Sequence, residues 1–445
     1  MKNIIINPSQ AAVFVDGRDN SKVELVECTI FGNELPKAFL FGANSSLTLK
    51  SMYFKSVASK GTLIEADPAV ADPNMSITLD RCHFFDLDAS TSRPIVSGER
   101  ILKTTIKDCL FKDCHCSDTS PLPEPTANIA GREVTIMDTH MRNNTGPLSG
   151  LLTFGVQASK LNISGVTSIA NTNSARFSNC VTFTPNSVVH VMDSTVKESN
   201  TTELWPSGGF LYLPSTTTTL TIDDTKFFND TAAAHGGSIF VATEKSVELR
   251  NVDGTYCGAG KDGGFLYFGG HGTLLVFKGN MTLNMATRNG GSLFLADYAT
   301  LFVYEGLFNH CKADESGGAV ALTLQKGANT TFKFVKFVRN KALDGLGQDV
   351  LATKSENGKK LTMAAFVRCK SETTHPKVTL MPEKNHANWS NSHAAWVGGW
   401  VAFVVVMVLV VVAVSVAVPL ICCYCGYCTA CGVNRKGSKS GYTQV

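Results

Sequence analysis

Charge is scarce in this sequence. Asp, Glu, Lys and Arg make up 17% of the 445 residues, and the net charge is only +3. There is no basic block and no RNA-type motif, which sets nucleic acid aside as a partner. No segment of the first 380 residues carries a long apolar stripe of 3.6-residue period, so a helical body is excluded there. Nucleotide-binding loops, zinc-helix motifs and serine-elbow motifs are also missing. The opening Met1-Lys-Asn-Ile-Ile-Ile-Asn-Pro lacks an adequate apolar region for a signal peptide. We expect a start lost upstream, with the chain beginning mid-stack. The alternative is export directed by the terminal apolar segment.

What is there is a recurring glycine pair. It stands at Gly208-Gly209, Gly236-Gly237, Gly263-Gly264, Gly290-Gly291 and Gly317-Gly318, in steps of 28, 27, 27 and 27 residues. A fixed period of this size marks a stacked repeat, whose unit is too small to fold alone and gains a core only from its neighbours. The unit Gly290 to Ser316 holds three short β-type runs, Ser-Leu-Phe-Leu-Ala, Thr300-Leu-Phe-Val-Tyr and Gly306-Leu-Phe-Asn, separated by turn residues. Three strands and three turns describe one coil of a parallel β-helix, with coils about 4.8 Å apart.

Side chains on a strand alternate faces. Two residues after each second glycine stand Leu211, Ile239, Leu266, Leu293 and Val320. Two further on stand Leu213, Val241, Phe268, Leu295 and Leu322. All ten are apolar, so their shared face is the expected core. The residues between them, Tyr212, Phe240, Tyr267, Phe294 and Ala321, point outward. The four aromatics read either as an exposed contact stripe or as a self-stacking ladder that stiffens the coils.

Fainter echoes extend the repeat. Gly345-Leu-Gly-Gln-Asp-Val-Leu lies 28 residues after Gly317 and reads as a degenerate final coil. Cys82-His-Phe84 and Cys109-Leu-Phe111 are 27 apart, and Asp80, Asp108, Asp138, Asp193 and Asp223 mark one turn position. The expected domains are a β-helix over 1–370, clearest over 208–350, a polar stalk over 371–394, a transmembrane helix over 395–421 and a Cys-rich tail over 422–445. Ser117 to Pro125 reads as a loop thrown out from the stack.

No Asp, Glu, Lys or Arg occurs from Ala394 to Asn434, and Val401 to Ile421 is an apolar run long enough to span a bilayer. Trp396 and Trp400 mark one interface, Tyr424 and Tyr427 the other. The tail carries Arg435, Lys436 and Lys439 without an acid, so the C-terminus is expected in the cytoplasm and the large N-terminal part outside. This places the chain in the plasma membrane as a single-pass, type I protein. Asn-x-Ser/Thr sequons, candidate glycosylation sites, occur at Asn44, Asn74, Asn143, Asn162, Asn200, Asn229, Asn280, Asn329 and Asn388, all before the helix.

Five of the fourteen cysteines, Cys422, Cys423, Cys425, Cys428 and Cys431, abut the bilayer without a histidine. S-palmitoylation suits them better than a metal. The other nine are an odd number, so at least one is unpaired or bonded between chains. Stacked Cys82 and Cys109 would have parallel Cβ vectors, which suit buried thiols better than a disulfide. Cys114-His115-Cys116 has no second pair at ligand spacing, and no metal or cofactor is expected. The tail end, Tyr442-Thr-Gln-Val445, fits a Tyr-x-x-apolar sorting signal read by a cytoplasmic adaptor, and its free carboxylate also fits a PDZ-type groove; the alternative is a chance match without function, since four-residue patterns arise often.

Asp223-Asp224 and Gly270-His271-Gly272 resemble fragments of a polygalacturonase signature, but that family's Asn-Thr-Asp and Arg-Ile-Lys elements are missing and Asp223 reads as a turn residue. An enzyme is therefore not expected. The Gly-Gly-small-aliphatic openings, with Phe337-Val-Arg-Asn340 and the near misses Phe228-Asn229 and Phe308-Asn309, resemble the repeats of polymorphic outer membrane proteins first known in chlamydiae. Joined to a terminal helix, they look like the Pmp-like surface proteins of trichomonad protists. The resemblance implies a cell-surface, adhesin-like role toward host cells, matrix or glycans. The alternatives are a structural or decoy coat protein and, third, a carbohydrate-active β-helix enzyme. The expected fold class is all-β: a right-handed parallel β-helix (pectin-lyase-like solenoid) followed by one transmembrane α-helix.

Overall fold

The computed structural model describes residues 5–6, 15–17, 20–35, 39–59, 64–66, 74–89, 96–97, 101–116, 131–145, 152–153, 159–173, 180–181, 186–201, 207–213, 217–296, 299–324, 330–344, 346–354, 365–371 and 378–382. They belong to one compact unit, Met1–Glu383, and form a parallel β-solenoid. Among the described residues there is no helix, and so none long and apolar enough to cross a membrane. The expected transmembrane segment 395–421 and the tail lie outside the described residues.

One coil illustrates the rest. It contains Ile239–Ala242, Ser246–Arg250, Asp253–Thr255 and Gly258–Ala259. Each strand pairs in parallel with its equivalent one coil on: Ile239 with Leu266, Ser246 with Thr273, Asp253 with Asn280, Gly258 with Met285. Repetition builds four sheets along the stack. The first, here the glycine sheet, has nine strands, from Leu152–Thr153 to Val378–Pro382. A separate four-stranded sheet plays its part in the earlier coils. The second, the long sheet, has thirteen strands, from Lys22–Val26 to Ala365–Val367. The third has sixteen and the short fourth seven.

The alternation of the sequence produces this directly. All ten residues of the two core columns after the glycine pairs are buried. The long sheet adds Val247, Leu249, Leu274, Val276, Leu301 and Val303 from its inner face. The third sheet contributes a stacked column, with Phe54, Phe84 and Phe111 at centroid separations of 4.6 and 4.5 Å. Full burial of each such side chain is worth roughly 1.5–3 kcal/mol, and parallel in-register stacking extends the same gain to every coil.

Neither glycine of a pair leaves room for a Cβ (one at Gly263 would overlap the Leu266 carbonyl oxygen), and the first has a conformational reason as well. The first takes positive φ, 69° at Gly263 and 67° at Gly317, which only glycine enters without cost. The second permits close approach: a methyl at Gly264 would overlap the Gly291 carbonyl oxygen of the next coil. The later pair is out of step with the expected one. Gly347, at φ 60°, takes the first place and Gln348 the second, and Gly345 lies outside the described residues. That coil is not the last. Val378–Pro382 pairs in parallel with Val350–Lys354, so the solenoid runs into the segment expected as a stalk.

The aspartate column also needs correction. Asp108, Asp138, Asp193 and Asp224 occupy the left-handed corner after the long sheet, at φ 52°, 48°, 48° and 47°. Asp223 and Asp80 are the last residues of their strands instead, one position earlier. Asp and Asn tolerate this backbone because their short polar side chains hydrogen-bond locally.

Candidate functional site

The strongest polar organisation is internal. Just after the third sheet, one column reads Cys114, Asn144, Asn171, Ser199, Asp230, Cys257, Asn284, Cys311 and Asn340. Its Asx side chains accept a backbone N–H from the preceding coil: Cys114 N to Asn144 Oδ1 at 3.0 Å, Ser199 N to Asp230 Oδ1 at 2.9 Å, Cys257 N to Asn284 Oδ1 at 2.9 Å, and Cys311 N to Asn340 Oδ1 at 3.0 Å. The asparagines also donate backward, as Asn284 Nδ2 does to Gly254 O at 2.9 Å. This ladder satisfies buried backbone donors that would otherwise each cost about 1–3 kcal/mol. It accounts for the Phe-x-x-Asn pattern: Phe337 fills the core and Asn340 joins the ladder. The matching segments are therefore Phe227-Phe-Asn-Asp230 and Phe308-Asn-His-Cys311, and the near misses Phe228-Asn229 and Phe308-Asn309 are corrected to these.

Asp230 is the exception in the column. It is fully buried, accepts a hydrogen bond from Ser238 Oγ at 3.0 Å, and has no amide with which to donate. Burial pushes its carboxyl up to about 7 against the pull of the Ser199 N–H and the Ser238 hydroxyl.

A second network precedes the glycine pairs. Arg288 donates to Asp262 through Nε at 3.2 Å and Nη2 at 2.5 Å. Asn289 Nδ2 donates to Asp262 Oδ1 at 2.9 Å, and Ser316 Oγ donates to Asn289 Oδ1 at 2.7 Å. His235 Nδ1 lies 3.2 Å from Asp262 Oδ2 without hydrogen-bond alignment. Burial would raise the Asp262 carboxyl, but His235 and the Arg288 guanidinium outweigh it and hold it below the usual carboxylate range. Burial is the main cause that lowers His235. These groups clamp four successive coils together, with the Asp262 carboxylate internal and the Arg288 and His235 side chains partly exposed at its edge.

The aromatic column of the glycine sheet is not an exposed stripe. Phe240, Tyr267 and Phe294 are 2%, 6% and 2% exposed, and only Tyr212 is partly open. The rings stack on one another at 4.9, 5.0 and 5.3 Å, and His235 packs on Tyr267 at 4.7 Å. The column is a covered ladder.

Partly exposed aromatic side chains lie instead on the outer face of the long sheet. Leu275 pairs with Phe302, and Phe277 with Tyr304, in adjacent strands, all four partly exposed. Phe277 and Tyr304 stack at 5.3 Å. Lys333 Nζ lies 5.9 Å from the Tyr304 ring and 5.5 Å from that of Phe334, which is 43% exposed, and Arg368 lies 5.6 Å from the same Phe334 ring. Sequence reasoning passed over these residues. The signal was the lack of polar residues at the outward positions of Leu-Leu-Val-Phe277 and Leu-Phe-Val-Tyr304.

The polygalacturonase-like fragments do not converge. Asp223 has the same register position as Phe277, at the far end of the long-sheet strand, whereas His271 lies just before the near end, two coils away. Asp223 instead sits 3.9 Å from Arg250, which also pairs with Glu248 at 2.7 Å. Among the described residues no three His, Cys, Asp or Glu side chains form a metal-ligand set. Cys82, Cys109, Cys114, Cys257 and Cys311 are free buried thiols, Cys28 is buried too, and Cys369 is a partly exposed thiol. Cys82 N donates to Cys109 Sγ at 3.4 Å, and the Cys82 thiol is pushed far up by its hydrogen bond with Cys109 and by burial.

The described sequon asparagines, Asn44, Asn74, Asn143, Asn162, Asn200, Asn229 and Asn280, are all exposed or partly exposed. The buried asparagines Asn144, Asn171, Asn284, Asn289 and Asn340 all fall outside sequons. Asn329 and Asn388, the five tail cysteines, Tyr442 and Val445 lie outside the described residues. Compared with known proteins, the chain matches no family model, no curated protein and no solved structure.

Proposed function

We propose that this chain is a single-pass cell-surface protein whose β-solenoid contacts a host-cell, matrix or glycan ligand through the outer face of the long sheet. The observation that carries the reading is the pair of partly open columns Leu275–Phe302 and Phe277–Tyr304, ringed by Phe334, Lys333 and Arg368. A sheet face turned to water is normally polar, and contiguous open apolar surface marks a contact site. The accessibility of the described sequons agrees with passage through a glycosylating compartment.

The reading includes a right-handed, pectin-lyase-like winding, a Pmp-like relationship, the 395–421 helix as anchor, and a cytoplasmic tail open to acylation and adaptor binding. It assigns no catalytic activity, and release of new sugar ends from a polysaccharide would overturn that part. The test is binding of the recombinant 1–383 unit to cells and matrix. The triple variant Phe277→Thr, Phe302→Thr, Tyr304→Thr is expected to lose about tenfold in affinity, roughly 1.4 kcal/mol, with an unchanged melting temperature. Equal binding by both proteins would defeat the contact-face reading.

A further inference from the structure

The corner after the third sheet carries a second unusual surface. Its left-handed column reads Asn143, Ala170, Glu198, Asn229, Tyr256, Leu283, His310 and Arg339. Tyr256 and Leu283 hold φ 58° and 56° there. A bulky residue gains nothing from that backbone, which costs roughly 1–2 kcal/mol outside glycine and the short polar residues. Both are also open to water: Tyr256 is 50% and Leu283 37% exposed, beside Phe228 at 39% and Met285 at 47%. The Phe228 and Tyr256 rings meet edge to face at 5.6 Å, an arrangement that leaves aromatic surface uncovered. Strain and exposure thus coincide on consecutive coils.

Asn229 stands in the middle of this feature. It follows Phe228 in the chain and occupies the same corner column as Tyr256, one coil away, with Asn229 N bonded to Thr255 O at 2.9 Å. It is exposed and begins the sequon Asn229-Asp-Thr231. We propose that Asn229 carries an N-linked glycan whose first sugar packs on the Phe228–Tyr256 ring pair, extended by Leu283 and Met285. In the transfer step the Asn229 amide nitrogen loses one hydrogen and bonds the anomeric carbon of a lipid-linked oligosaccharide. The lipid diphosphate leaves, and the displaced proton passes to solvent. The C–H groups of a pyranose face carry partial positive charge, which the negative face of an aromatic ring attracts. The covalent link holds sugar and rings at high effective concentration, so little further ordering is needed. The inference rests on the surface reading only for access to a glycosylating lumen.

The molecule supplies its own control. Asn143 occupies the same corner column at φ 54° and is an exposed sequon asparagine, but it follows Arg142 and has Ala170 as its neighbour one coil on. The experiment produces the full chain behind a cleavable secretory leader in a eukaryotic host, so access to the lumen is assured whatever the native location. Native-state release by peptide:N-glycosidase is then followed site by site, by mass spectrometry of the aspartate each release leaves. Asn229 is expected to be occupied and to be released about fivefold more slowly than Asn143, the factor a ring contact of this kind supports. Phe228→Thr with Tyr256→Asn, which suits the left-handed corner, is expected to abolish the difference. An unoccupied Asn229, equal release at the two sites, or slow release that persists in the variant each overturns the proposal and leaves the long-sheet contact reading standing.

Discussion

Phe265 occupies the space that a side chain at Gly254 would need: a Cβ at Gly254 would lie 2.6 Å from Phe265 Cδ2. In the coils on either side the third sheet fills this inner column itself, with Phe227 and Met281, and a small residue, Ser238 or Ser292, follows the glycine pair. The two positions have exchanged volume between coils. Phe265→Ser should therefore cost about 3–5 kcal/mol, the usual range for emptying a buried phenylalanine site. Adding Gly254→Phe restores the pattern of neighbouring coils and should recover at least half of the loss in urea unfolding. A double variant no better than the single one would refute the exchange.

Asp230 gives the stack a pH dependence. Its folded carboxyl titrates at about 7, above the ordinary value of 3.8, so the native state holds the proton more tightly than the unfolded chain. Stability from this group is then full below about pH 4, falls as pH rises toward 7, and levels off above. Asp230→Asn supplies the amide present in Asn284 and Asn340, and should raise stability by roughly 2–4 kcal/mol at pH 8 while changing little at pH 4. Melting curves at the two pH values check the sign. Equal shifts at both would remove burial of the charge as the cause.

The glycines separate by cost. Gly263→Ala meets both the left-handed φ and the Leu266 carbonyl, and Gly264→Ala meets the carbonyls of Gly291 and Met285. Each should destabilise by about 2 kcal/mol or more. Gly258→Ala has its nearest neighbour 3.7 Å away, at Thr231 Cγ2, and no positive φ. It should be neutral or stabilising by up to about 1 kcal/mol. Chemical denaturation of the three single variants ranks them.

Asp262 joins His235, Arg288 and Asn289. Asp262→Ala strands a half-buried guanidinium and should cost about 3 kcal/mol, whereas His235→Gln should cost under about 1 kcal/mol. Because the folded Asp262 carboxyl is held below 3.8, its contribution is present above that pH and lost as pH falls further. The wild-type melting temperature should drop on acidification below pH 4 more steeply than that of Asp262→Asn. Parallel acid profiles would show that the carboxylate is not the group responsible.

The sequence alone determined the period, the strand alternation and the core columns after each glycine pair. A rung that must bury one face of every strand leaves no other place for Leu211, Ile239 or Leu266. The tertiary structure decided the rest. Ser199 meets Asp230 at a spacing of 31 residues and Cys257 meets Asn284 at 27, so coil-length variation, with Asn, Asp, Ser and Cys mixed in one column, hid the polar ladder. Tyr267 and Phe302 share the same outward pattern, yet the first is covered and the second partly open. Alternation fixes which way a side chain points. Whether anything lies against it depends on packing between segments distant along the chain, which no local pattern encodes.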